Sequence, residues 1–312
     1  MSHLDHSLIL ENVSLARGKK TVLSDVSASF QTGQAVAIIG CSGSGKTSLL
    51  ACMATALPIN SGDIRIEGTS IQTDLQSARR SIGYVPSIFH RWPHVRSDEF
   101  LELFALEAGL TGKPMRTAVN KSLEMASIHD PGTPVDNLPN GKAQRLMIAR
   151  SLLHEPTILI FDDPFHGLDP IEQQKTEDLI TDLSLSGRTI IAAINNGIIP
   201  KCFSHLGLIE QGSLSTLQPA FFESFQKSLN RTWNFRVVCP STAGNAVAAL
   251  RSFGVHAIHI DEDTLDLLCN PIDVPFDELL SLLFRTGIPV TSATFHPSWT
   301  VQLLQNISEA ER

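Results

Sequence analysis

The sequence runs to 312 residues with a formal net charge of −8, 42% hydrophobic residues and 18% charged ones. That length exceeds what one hydrophobic core usually serves, so two domains, or one large domain with an appendage, are expected. The acidic balance, without a block of Lys or Arg, excludes a broad nucleic-acid surface and gives no electrostatic reason for adhesion to anionic lipid.

The opening MSHLDHSLIL has no basic n-region and no apolar stretch of signal length, and no run of about 18 apolar residues follows anywhere. A cytosolic location is expected. Cysteines at 41, 52, 202, 239 and 269 form no CxxC pair, which points to reduced free thiols and away from a zinc site.

In chain order, the apolar run Val36 to Ile39 breaks into GCSGSGKT, and the following SLLACMATAL reads as a helix ended by Pro58. Strand-like SGDIRIEG and SIGYVPS come next, then a mixed helical region over 97–127. LPNGKAQRLMIARSLL is a predicted helix, TILIFDD a buried strand, 170–185 a polar helix, and RTIIAAIN a further apolar strand. Strands alternating with helices predict a largely parallel α/β sheet wrapped by helices. After about residue 219 the pattern becomes strand (WNFRVVC), helix (AGNAVAALRSFG), two strands (VHAIHI, TLDLLC) turning at 261–263, helix (FDELLSLLFRTG) and strand (PVTSATF). This βαββαβ order predicts a small α+β ferredoxin-like domain with a terminal helix at SWTVQLLQNI. The boundary is expected near 222, giving domains 1–222 and 223–312.

The stretch Gly40, Cys41, Ser42, Gly43, Ser44, Gly45, Lys46, Thr47 fits the phosphate-loop pattern, with Ser48 opening the helix behind it. The glycines let backbone N–H groups curl around phosphate oxygens, and the helix turns its positive end toward them. Lys46 reaches the β and γ phosphates, and Thr47 ligates Mg²⁺. Asp162 ends a buried strand, a position from which a carboxylate holds that magnesium through water. Asp163 would then face the γ-phosphate and the attacking water; the other reading makes it a turn or helix cap before Pro164.

With these residues in place, the chain resembles the ATP-binding subunit of an ABC transporter over residues 5 to 218. The resemblance implies a P-loop NTPase fold with a helical subdomain. It also gives LPNGKAQRLMIARSLLHEPTILIFDDPFHGLDP the parts of signature motif, helix, Walker B strand and D-loop, the last represented by Asp169. SIGYVPS resembles the Q-loop, and GRTIIAAIN the strand ending at the switch histidine. The C-terminal unit resembles the accessory domain of ABC-2-type export subunits.

The departures from that family are five. Asp163 stands where a glutamate orients the attacking water, one methylene shorter, and a displacement of about 1 Å at a reacting atom can cost about a hundredfold. Asn195 replaces the switch histidine and donates a hydrogen bond without ever carrying its charge. Ser87 replaces the Q-loop glutamine. The signature reads Leu138, Pro139, Asn140, Gly141, Lys142, where Pro139 removes a hydroxyl and a backbone N–H and Lys142 offers only a point charge. Arg17 aligns with the aromatic that stacks on adenine, and a guanidinium can also stack.

The resemblance therefore implies an ATPase of low turnover with ATP and Mg²⁺ as cofactors, partnered by an integral membrane permease at the inner face of the membrane and by a second ATP-binding subunit. A heterodimer is favoured over a homodimer, because an intact relative would supply good catalytic residues to one of the two sites. The rival reading is a catalytically dead pseudo-ATPase, a regulatory nucleotide-binding module. An ABC protein of translation or DNA repair is disfavoured, because no second ATP domain and no coiled-coil insertion are seen. His90 and His94 lack companion metal ligands, and His166, between Asp163 and Asp169, reads first as a solvated loop residue and second as a stand-in for the missing switch.

Overall fold

The computed structural model describes residues 6–18, 20–40, 43–195 and 199–217, together with the backbone of four strands at 233–238, 256–261, 264–269 and 292–295. Cys41 and Ser42 lie outside the described residues, as do the helices expected at 243–254, 276–287 and 298–307. The chain divides into two compact units, Met1–Asn195 with Ile199–Pro219 and Asn196–Ile198 with Ala220–Arg312.

The first unit holds two sheets. One is antiparallel, built by β1 (His6–Arg17), β2 (Lys20–Gln31), β4 (Ser61–Ile66) and β5 (Thr69–Ser70) in the order β2-β1-β4-β5. Along β1 the residues Leu8, Leu10, Val13 and Leu15 are buried while Glu11 and Asn12 face solvent, the alternation of a sheet with one wet face. The sequence reading above passes over this hairpin. Its signal was present, but register shifts between Leu10 and Val13 and again at Leu15 break the strict period of two.

The second sheet has the order β10-β9-β3-β8-β7-β6, formed by β3 (Ala35–Ile39), β6 (Ile82–Val85), β7 (Ile158–Asp162), β8 (Thr189–Ala193), β9 (His205–Glu210) and β10 (Ser213–Leu217). It is parallel except for the β9–β10 pair at its edge. Every residue of β3, β7 and β8 is buried, which explains their unbroken apolar runs: helices or the other sheet cover both faces.

Helix α1 (Lys46–Met53) buries Leu49, Leu50, Cys52 and Met53 in one core with Leu8, Leu10, Val13 and Leu23 from the first sheet and Ile38, Ile160 and Ile191 from the second. A buried hydrogen bond from Ser7 Oγ to Thr189 Oγ1, 2.8 Å long, ties β1 of one sheet to β8 of the other. Helix α2 (Leu75–Arg80) opens on Asp74, which accepts from Ser77 N. Helices α3 (Ser97–Glu107), α4 (Gly112–Met125) and α5 (Asn140–Leu152) pack together, α3 burying Phe100 and Leu101, α4 burying Val119 and Leu123. Helix α6 (Pro170–Leu185) follows β7 and begins with proline at its first position, where the missing N–H costs nothing.

In the second unit, β11 (Trp233–Val238), β12 (His256–Asp261), β13 (Thr264–Cys269) and β14 (Ser292–Phe295) form a wholly antiparallel sheet in the order β12-β13-β11-β14. Of these four strands the first in the chain is thus central and the second lies at an edge, the order produced when each crossover between them skips one strand.

Candidate functional site

Parallel pairing brings three strand ends to one edge. Ala193 of β8 sits opposite Ile38 of β3 on one side and Asp162 of β7 on the other, so Gly40, Asp163 and Asn195 leave the sheet side by side. In a parallel sheet with helices on its faces, this carboxyl-terminal edge is where ligands bind.

The loop after β3 requires glycine. A Cβ on Gly40 would lie 2.3 Å from Ile209 O and 2.7 Å from Ser44 Oγ, and Gly45, which caps α1, holds φ at 112° against the backbone of Val22. These residues turn the chain so tightly that the N-terminus of α1 faces the loop it follows. Lys46 is buried, and its Nζ donates to Gly40 O at 2.7 Å, across the mouth of the loop.

Thr47 Oγ1 donates to Asp162 Oδ1 at 3.2 Å, joining the start of α1 to the end of β7. Asp162 is 1% exposed, and its Oδ2 finds no hydrogen-bond partner among the described residues. A buried carboxylate oxygen without a donor is costly. A hard divalent cation satisfied by oxygen ligands removes that cost, so Thr47 and Asp162 fit a magnesium site. The field of Asp162 reaches Tyr84 on β6, whose hydroxyl pKa is pushed up to about 12, first by burial and second by this carboxylate.

Asp163 departs from the strand in a left-handed conformation with φ 55°, rare for a residue with a side chain. Its N–H still donates to Ala193 O at 3.0 Å, while its C=O accepts from His166 N at 3.1 Å and closes a turn. The backbone thus serves the turn. The carboxylate does something else: Oδ2 accepts from Asn195 Nδ2 at 2.8 Å and lies 3.4 Å from His166 Nδ1, while buried Oδ1 finds no partner among the described residues. One oxygen is tied and the other is available to take a proton from a water molecule. His166 itself is largely exposed, so it is both a solvated loop residue and a neighbour of the carboxylate.

The signature residues are held by a different set of contacts. Pro139 precedes α5 with φ −54° and ψ 153°, and its C=O accepts from Ala143 N at 2.9 Å. Leu138 is buried; Lys142 is exposed in the first turn, which carries no acidic residue. Gly141 lies flat against α6, because a Cβ there would come within 2.2 Å of Glu172 Oε2. Glu172 also pairs with buried Arg145 and, at 2.9 Å, with Lys175. Those bonds, Lys175 first, hold its carboxyl below the ordinary carboxylate range. Asp169 caps α6, accepting from the N–H groups of Ile171 and Glu172, each at 2.9 Å.

Ser87 is half-buried just beyond β6. Arg17 is exposed at the end of β1, opposite Lys20 across the hairpin. Its charge reaches α1: burial pushes the Cys52 thiol up to about 11, and the guanidinium opposes that shift. Among the described residues no group of three or more metal-ligating side chains forms, at His90 and His94 or elsewhere. Arg91 was passed over in the sequence reading. It donates from Nη1 to Leu138 O at 2.6 Å and from Nη2 to Asn140 Oδ1 at 2.5 Å, and a separation of 47 residues or more left no local signal of either bond.

Residues 23–166 match the model of the ABC transporter family. The linearmycin resistance ATP-binding protein LnrL of Bacillus subtilis (strain 168) is 26% identical over 206 residues, spanning 65% of this chain and 66% of LnrL. The glutamate/aspartate import ATP-binding protein GltL of Escherichia coli (strain K12) is 31% identical over 225 residues, 69% of this chain and 93% of GltL. Among solved structures, the dimeric post-hydrolysis state of the ATP-binding cassette MJ0796 bound to ADP and Pi superposes with a TM-score of 0.60 at 24% identity, over 68% of this chain and 99% of that one, which shows a shared fold.

Proposed function

This chain belongs to the ABC transporter ATP-binding family, and from that premise we propose that it couples ATP binding, with slow hydrolysis, to an integral membrane permease of the ABC-2 export class. The observation that carries the reading is the meeting of Lys46, Thr47, Asp162, Asp163 and Asn195 at one edge of the parallel sheet. Residues 1–222 would form the nucleotide domain, with Gly40 to Ser48 around the phosphates and Arg17 against adenine, and 223–312 the accessory domain. LnrL is named for resistance and GltL for import, so these names leave the direction open. The four-stranded antiparallel sheet of the second unit, with the helices that the sequence leads one to expect between its strands, supports export.

Lys46 would exchange its bond to Gly40 O for phosphate oxygens. Mg²⁺, held by Thr47 and Asp162, would neutralise charge on the β and γ phosphates. Asp163 Oδ1 takes the proton of the attacking water while Asn195 holds Oδ2. Turnover is slow for three reasons: this carboxylate is one methylene short, Asn195 spends its donor on Asp163, and Ser87 lacks the reach of a glutamine. The signature loop from Leu138 to Lys142, with Asp169, would complete the site of a second ATP-binding subunit, and a heterodimer with an intact relative gives one site sound catalytic residues. The complex would sit on the inner face of the membrane through the permease; among the described residues no helix is long and apolar enough to cross a membrane.

A second reading, a pseudo-ATPase that binds ATP as a regulatory signal, is favoured by one observation: the amide of Asn195 is turned to Asp163. Steady-state phosphate release by the complex purified from its own cells separates the two. Any release supports the ATPase: release that persists in Lys46→Ala comes from the partner's phosphate loop, and release that stops comes from this chain's own; ATP binding without any release selects the second reading.

A further inference from the structure

Arg91 lies in the segment between Ser87 and α3, where Ile88 is 82% exposed and Trp92 packs on Phe100 and Phe104 with ring centroids 5.6 and 6.0 Å away. From there its guanidinium reaches the signature loop and makes two bonds, to Leu138 O and to the side chain of Asn140. Those acceptors flank Pro139, the one residue of the loop with no N–H of its own to anchor it. A planar guanidinium with two donors engaged at once fixes orientation as well as distance, which a lysine ammonium cannot do. Asn140 is thereby given a partner at a position where the family carries glycine. The arrangement also has an electrostatic cost: a cation beside the N-terminus of α5 opposes the helix dipole, and no acidic residue in the first turn offsets it. Two good hydrogen bonds hold it there regardless.

We propose that Arg91 is a positioning residue for the signature loop, tying Leu138 and Asn140 to the segment that follows Ser87 so that loop and segment move as one. The proposal rests on the reading that residues 138–142 face the nucleotide of a second subunit. The tie then gives this chain a mechanical link between the Q-loop segment and the composite site. A displacement there is felt at a phosphate held on another subunit, where about 1 Å of misplacement can cost about a hundredfold.

The test uses the complex purified from its own cells through a tag on this chain. Phosphate release is measured for the parent, Arg91→Ala, Arg91→Lys, Asn140→Ala, Asn140→Asp and the pair Arg91→Ala with Asn140→Ala. Arg91→Ala, Arg91→Lys and Asn140→Ala should each lower kcat by on the order of tenfold with KM for ATP unchanged. Asn140→Asp, which keeps the acceptor oxygen, should recover most of what Asn140→Ala loses, and the pair should be no slower than either single change. Unaltered kcat in Arg91→Ala, or losses that multiply in the pair, overturns the proposal. Should the parent complex release no phosphate, amide exchange on the full chain decides: Arg91→Ala must speed exchange over 140–144 and leave 46–50 as protected as in the parent, and equal exchange over 140–144 overturns it. The underlying reading fails separately, if the full chain alone still binds ATP as the parent does after Lys46→Ala.

Discussion

The two halves of the proposed nucleotide site are built on different terms. The half around Lys46, Thr47, Asp162, Asp163 and Asn195 gathers where the ends of adjacent parallel strands meet the start of α1, and its hydrogen bonds join α1 to β7 and the residue after β7 to Asn195 beyond β8. The half around Leu138 to Lys142 begins a helix and is held from outside, by Arg91 on one side and by Glu172 of α6 on the other. In the first half two buried carboxylate oxygens, Asp162 Oδ2 and Asp163 Oδ1, are left without partners among the described residues. Such oxygens are expensive to keep unless a cation or a water molecule meets them. The polar side chains that hold the second half, Arg91, Asn140 and Arg145, are engaged within the chain itself. The lesson is that the first half is poised for small partners and the second is shaped as a rigid surface.

The comparison is broken hardest at Lys46. Lys46→Ala removes a buried cation from the phosphate loop, and loss of a hydrogen-bonded charge partner of this kind costs about 4 kcal/mol, roughly a thousandfold in affinity for Mg-ATP. Calorimetry on the full chain reads it directly. A mutant that binds within about tenfold of the parent would remove Lys46 from the site.

The second half is expected to fail through stability instead. Arg145 is 2% exposed, donates to Ala126 O at 3.1 Å and pairs with Glu172. Arg145→Ala leaves Glu172 with Lys175 alone, and breaking a buried pair from one side costs about 3 kcal/mol. Urea unfolding should show that loss at pH 7 and less of it in acid. The sign follows from Glu172: its folded-state pKa is lowered, so its contribution is present above the ordinary glutamate value and is lost as pH falls through the lower folded value. An equal loss across that acid window would mean that Glu172 is not the partner that matters.

A third change sharpens the comparison by repairing the first half alone. Asp163→Glu combined with Asn195→His restores the reach to the water and a donor able to carry charge, and should raise kcat by about tenfold in the complex. If turnover does not move, the second half limits the rate, and Pro139, Asn140 and Lys142 become the residues to repair.

How much of each half could be read in advance follows from the same difference. The phosphate loop, the acids after β7 and the strand before Asn195 were legible because each is a short local pattern: glycines at fixed offsets, or a buried apolar run ending in a polar residue. The family relation of 138–142 was legible for the same reason. What those residues touch was not, since Arg91 and Glu172 are distant in sequence and only tertiary packing brings them in. The hairpin of β1 and β2 was missed through its register shifts. The side-chain partner of Asp163 was also hidden: Asp-Pro reads as a turn, and the backbone does form one, yet the carboxylate serves Asn195.

Asp169 is where the two halves meet, and it carries the smallest expected effect. The segment that turns at Asp163 leads to Asp169, which caps α6 by accepting from Ile171 N and Glu172 N. Glu172, in that first turn, is the residue against which Gly141 and Arg145 of α5 are packed. The cap therefore fixes the height at which α6 offers Glu172 to the signature helix. Asp169→Ala deletes both acceptor bonds at an N-cap and should cost about 1 kcal/mol of stability. Asp169→Asn keeps an acceptor oxygen and loses only the favourable charge at the helix N-terminus, which is worth about 0.5 kcal/mol at low salt. The ordering is the test: the alanine variant should unfold at lower urea than the asparagine variant, and the gap between asparagine and parent should shrink as salt is added. If the two variants unfold together, Asp169 acts through its charge alone, and α6 is set against α5 by the Arg145 and Glu172 contact without help from its cap.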